Sequence, residues 1–167
     1  MNLEQAIAGW DGKSSSDIAE IYAGYQGVGD FVSDIIELSH QPALQKGTTW
    51  LLKKHLENKA ELKASDCTLL LRLLPQLEHW EARLHLLQCL PYIRISPDEA
   101  SAVDAFLRNN LGDTHKFVRA WAYNGFYELA LQYPAYQHEA KQLFDLAMRE
   151  EAPSVKARIR NITQQGF

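Results

Sequence analysis

The chain has 167 residues and a formal net charge of −4, with 46% apolar and 23% charged residues. That balance excludes a disordered chain and a strongly basic nucleic-acid binder, and the length fits one domain. Leu and Ala number 42 against 19 for Val, Ile and Thr, which excludes an all-β fold because branched side chains favour strands and unbranched ones favour helices. Apolar spacing predicts helices over 3–9, 15–25, 30–40, 42–58, 65–75 and 79–93. Within this stretch Ser14-Ser15-Ser16-Asp17 is a capping run. Gly24 to Asp30 spaces its glycines as GxxGxG with no preceding strand, so it reads as a turn between helices and not as a phosphate loop.

The second half is more sharply punctuated. Ser96-Pro97-Asp98-Glu99 predicts a capping box with Pro at the first helical position. The helix that follows places Ala100, Val103, Phe106, Leu107 and Leu111 on one face and ends at Gly112, suited to a left-handed cap. Asp113 or Thr114 is expected to cap the next helix, with Phe117, Val118, Trp121, Ala122, Gly125, Phe126 and Leu129 facing inward. Pro134 marks a turn, Tyr136 to Glu150 forms a helix on Ala140, Leu143, Phe144 and Ala147, and Pro153 opens a last one with Val155, Ile159 and Ile162. Short connections make successive helices antiparallel neighbours.

Charge is unevenly distributed. Residues 1–40 hold one base and seven acids, whereas the rest is net +2, and no acid follows Glu151 while Lys156, Arg158 and Arg160 do. Cys67 and Cys89 lie on apolar stretches outside any metal spacing and read as core residues of a reducing compartment. No secretory signal and no apolar run of about 18–20 residues is present, so a cytoplasmic protein without membrane spans is expected.

The strongest pattern is an internal repeat. His79-Trp80-Glu81-Ala82-Arg83-Leu84 aligns with His115-Lys116-Phe117-Val118-Arg119-Ala120 and with Ala152-Pro153-Ser154-Val155-Lys156-Ala157. A weaker copy is Ala43-Leu44-Gln45-Lys46-Gly47-Thr48, and the basic positions Lys46, Arg83, Arg119 and Lys156 are spaced by 37, 36 and 37. Each period holds two helices. Asp113-Thr114-His115-Lys116-Phe117-Val118-Arg119-Ala120-Trp121-Ala122 resembles the D-x-x-V-R-x-x-A opening of a first helix in the HEAT-repeat, or armadillo-like, family, and Ala152-Pro153-Ser154-Val155-Lys156-Ala157 is a second copy. That resemblance implies an all-α, right-handed α-α superhelix of about four helix pairs. The chain then reads as one solenoid domain over 1–167, with an irregular cap at 1–40 and repeats over 41–167. It also implies that the repeated basic residue ties neighbouring repeats together, and that a chain stopping after one helix of a pair exposes a terminal face suited to homodimerisation.

Catalytic patterns are missing. His40, His55, His79, His85, His115 and His138 form no HExxH or Cys/His metal spacing, and GxSxG does not occur. Iron hydroxylases built on HEAT-like repeats use several His-Glu pairs, of which this chain has only His138-Glu139. Glu81 and His85, four apart, read as a surface helix pair more than as acid and base. Neither a catalytic residue, a metal nor a cofactor is therefore expected. The expected function is a non-enzymatic scaffold that presents a curved groove to a protein or peptide. The resemblance places second helices on the concave side, which nominates Asp104, Arg108, Lys141, Gln142, Asp145 and Arg149, with Tyr123 and Tyr127 as added aromatic anchors. The alternative is a nucleic-acid-binding protein like the HEAT-like alkylated-base glycosylases, using Trp80, Trp121, Arg119 and Asp113; the net acidic charge disfavours it.

Overall fold

Proline punctuates every helix junction it touches. Pro42, Pro75, Pro91, Pro97 and Pro134 each sit in a three-residue 3-10 turn next to a helix end, and Pro153 is the first helical residue of the last helix. A proline ring offers no N–H, so it is tolerated only where an intrahelical bond is not required. Between these marks the computed structural model, which describes residues 1–166, is all-helical. Ten α-helices are found among the described residues: α1 Leu3–Ala8, α2 Ser15–Tyr25, α3 Phe31–Leu38, α4 Gln45–Glu57, α5 Ala64–Leu73, α6 Trp80–Cys89, α7 Ala100–Leu111, α8 Lys116–Gln132, α9 Gln137–Glu150 and α10 Pro153–Thr163. No strand occurs among them, and no helix is long and apolar enough to cross a membrane.

The chain forms two compact units, Met1–Ile93 and Arg94–Phe167. In the first, α4 packs along α6, and α3 lies against α4 and α5. A capping box between Asn2 and Gln5 starts α1, and Ser14 Oγ accepts from Asp17 N to start α2, as the capping run predicts. Helix α1 then lies across the start of α4. A Cβ on Gly47 would stand 2.7 Å from Ile7 Cγ2, so bare glycine backbone is what lets α1 approach so closely. Gln45 closes the other side: its amide nitrogen donates to Gln76 O at 2.9 Å and its amide oxygen accepts from Glu78 N. That buried side chain satisfies the turn after α5, whose backbone groups would otherwise be left unpaired.

In the second unit α8 is central, with α7, α9 and α10 packed around it. Two capping expectations fail here. Ser96 makes no capping hydrogen bond and Pro97–Glu99 is a 3-10 turn, so α7 begins only at Ala100. Gly112 has φ −96°, an ordinary backbone angle, because Asp113 N already bonds to Asn110 O and no left-handed turn is required. Asp113 still serves the start of α8, accepting from His115 N at 2.8 Å, although the N-cap residue itself is His115.

The repeat is visible as a shared burial register. The residue before each basic position is buried in all four copies: Gln45, Ala82, Val118 and Val155. So is the residue three after it (Thr49, Leu86, Ala122, Ile159) and the residue six after it (Leu52, Cys89, Gly125, Ile162). Offsets of four and three place these residues on one helical stripe.

Candidate partner-binding surfaces

The six nominated residues fall into two groups. Asp104 and Arg108 stand one turn apart on α7, with Arg108 Nε donating to Asp104 Oδ1 at 3.0 Å. The same guanidinium reaches Glu139 Oε1 on α9 and lies over the Phe126 ring, 5.7 Å from its centroid. The hydrogen bonds it donates to Asp104 and then to Glu139 raise the Arg108 pKa above that of an ordinary arginine. Arg108 is thus engaged in joining α7 to α9. Lys141, Gln142, Asp145 and Arg149 are exposed on α9, and Lys141, Asp145 and Arg149 follow one another at four-residue steps. They form a surface stripe of alternating charge. Sequence reasoning missed Glu139, because the register between two helices 31 residues apart is not written in either one.

Glu81 and His85 do not act as a pair. Glu81 Oε1 is 2.9 Å from Lys46 Nζ, which links α6 to α4. His85 is 7% exposed and its Nδ1 is 2.9 Å from Thr49 Oγ1. Burial first, and then the positive charges of Lys53, Lys46 and His79, lower its pKa to about 3. A ring so held stays neutral and packs in the core, with no access for proton transfer to a substrate.

A third surface was misread in the sequence. Phe117 and Trp121 are not core residues: Phe117 is 53% exposed and Trp121 is half-buried. The buried stripe of α8 runs through Val118, Ala122, Gly125 and Leu129, and Phe117 and Trp121 lie roughly 60–100° to one side of it at 3.6 residues per turn. On the other side Tyr123 and Tyr127, expected as exposed anchors, are 8% and 3% exposed. They are covered because α8 is enclosed by three helices, and the Tyr123 ring meets Phe144 of α9 edge-on at 6.4 Å.

Phe117 and Trp121 instead wall a cleft of about 360 Å³ between α8 and α10, floored by Ala120 and Ala157. The Arg158 guanidinium lies over the Trp121 ring at 4.2 Å from its centroid, and Lys116 Nζ is 5.5 Å from that of Phe117. Ser154 Oγ lines the cleft, is shielded from solvent and has no hydrogen-bond partner. Among the described residues, no group of three or more His, Cys, Asp or Glu is placed to hold a metal. Comparison with protein-family models, with curated proteins and with solved structures yields no match for this chain.

Proposed function

We propose that this chain is a non-enzymatic scaffold of the HEAT-like kind, its helix pairs stacked in a right-handed superhelix, whose second helices hold a protein or peptide partner in a reducing, cytoplasmic setting. The observation that carries the reading is the burial register common to α4, α6, α8 and α10. Four helices built on one stripe describe a core assembled by repetition, and the surface such arrays leave open is a groove along the second helix of each pair. On α9 that surface carries the alternating charges of Lys141, Asp145 and Arg149, a pattern suited to a polar rim that selects a partner by charge.

Arg108 is a poor probe of this reading, since reversing its charge would break its bonds to Asp104 and Glu139 and loosen α7 from α9. Lys141→Glu combined with Arg149→Glu leaves that cluster intact. Affinity capture from the source cells, with the wild-type chain and the double variant side by side, tests the assignment. The expected result is loss of bound proteins by a variant whose thermal melt shows that it is still folded. The same proteins captured in the same amounts by both would remove the α9 face from the function.

A further inference from the structure

We propose that the cleft between α8 and α10 is the docking site for a short, acidic, amphipathic helix of another protein, seated there as α1 is seated on α4. This rests on the reading of the chain as an interaction scaffold, but on a surface other than the charged face of α9.

The chain itself contains the template. One residue past the basic position, three of the four copies carry a small residue, Gly47, Ala120 and Ala157, and the remaining copy carries Leu84. On α4 the small position is covered: Ile7 and Trp10, three apart at the end of α1, close over Gly47, and Lys46 Nζ lies 5.8 Å from the Trp10 ring centroid. Trp10 Nε1 donates to Ser14 O at 2.8 Å, which anchors the covering segment. Ala120 is itself buried, whereas Ala157 on α10 is exposed and no described segment closes over it. Phe117 stands open to solvent on one side of Ala157, Trp121 is half-buried beneath the Arg158 guanidinium, and the Ser154 hydroxyl lacks a partner. An exposed aromatic wall beside an exposed small residue leaves room for an aliphatic or aromatic anchor.

Charge selects the occupant. Lys116 and Arg158 flank the cleft, and the segment beyond Glu151 carries three basic residues and no acid. The covering segment on α4 is of the opposite kind, with Glu4 and Asp11 beside Ile7 and Trp10. An acidic helix with two apolar residues three apart therefore matches both the surface and the precedent. Nucleic acid fits less well. The Arg158 guanidinium already occupies the Trp121 face at 4.2 Å, where a base would have to stack, and the chain is net acidic.

The test uses a fluorescently labelled peptide of residues 2–12, blocked at both ends, as the probe, titrated with the full chain at low salt and followed by anisotropy. Saturable binding is expected. Arg158→Glu should weaken it by about tenfold or more, as for a charge desolvated on binding. Ala157→Trp, at an exposed position, should abolish it by filling the cleft. Lys141→Glu with Arg149→Glu should leave it unchanged, which separates this site from the α9 face. Thermal melts establish that each variant is folded. The proposal is overturned by absence of saturable binding, by binding that survives both Arg158→Glu and Ala157→Trp, or by displacement of the peptide by a single-stranded oligonucleotide.

Discussion

Arg119 on α8 grips Glu151, the residue just before α10, through both carboxylate oxygens, with its Nε 2.9 Å from Oε2 and 3.2 Å from Oε1. A second arm of the guanidinium donates to Asp113 O at 2.9 Å. One side chain thus joins the turn before α8, the helix itself and the entry to α10. Lys46 does the same for the first unit by reaching Glu81 on α6. In both cases the repeated basic residue links its helix to the next copy of the repeat.

Replacing Arg119 by alanine should therefore weaken the packing of α10 on α8. Charge-assisted hydrogen bonds of this type contribute about 2 kcal/mol, and both side chains are only 21% and 15% exposed, so screening by water is limited. The expected fall in melting temperature is roughly 4–8 °C. Glu151→Gln should lower it less, because an amide oxygen still accepts one of the bonds. A calorimetric melt of Arg119→Ala that overlays the wild type would refute the linking role.

His85 makes a pH-dependent contribution whose sign follows from burial. Its pKa is about 3 in the folded chain against 6.5 for a free histidine, so between these values the unfolded chain binds a proton that the folded chain does not. Stability contributed by the neutral ring is fully present above pH 6.5 and is lost as pH falls, amounting to about 2 kcal/mol by pH 5. The stability gap between wild type and His85→Gln, measured by urea unfolding, should narrow from pH 7 to pH 5. A gap that stays constant would show that His85 titrates normally in the fold.

Gly47 tests how α1 is held. A side chain there meets Ile7 Cγ2 at 2.7 Å from its first carbon, so Gly47→Leu must push α1 away. The expected cost is about 1–3 kcal/mol from overpacking, larger than the gain in helix propensity of about 1 kcal/mol. Released α1 should also expose Trp10, seen as a red shift in tryptophan emission. A variant as stable as wild type with unshifted emission would mean that α1 is not seated on Gly47.

Much of this architecture is legible in the residues alone. Pro153 at the first position of α10, the Ser14 cap of α2 and the spacing of the four basic residues each rest on local geometry that one helix determines by itself. The cap expected at Ser96 failed because Pro97 was accommodated in a 3-10 turn before α7, a choice that capping signals do not distinguish. The inward assignment of Phe117 and Trp121 failed for a tertiary reason: an apolar residue on the flank of a helical stripe is buried only where a neighbouring helix stands over it. Tyr123 and Tyr127 are the same lesson reversed, since α9 and the end of α10 close over the side that the stripe alone would leave open. The Arg108–Glu139 bond depends on register between helices, which no single segment encodes.

The most direct test of the groove places a photo-crosslinking amino acid at Gln142, exposed among Lys141, Asp145 and Arg149 on α9, and irradiates the source cells. The account predicts a discrete adduct from position 142 that disappears in Lys141→Glu with Arg149→Glu and is not formed from exposed Asp17 on α2. No adduct at 142, or the same adduct from both positions, would contradict a partner-binding role for this face.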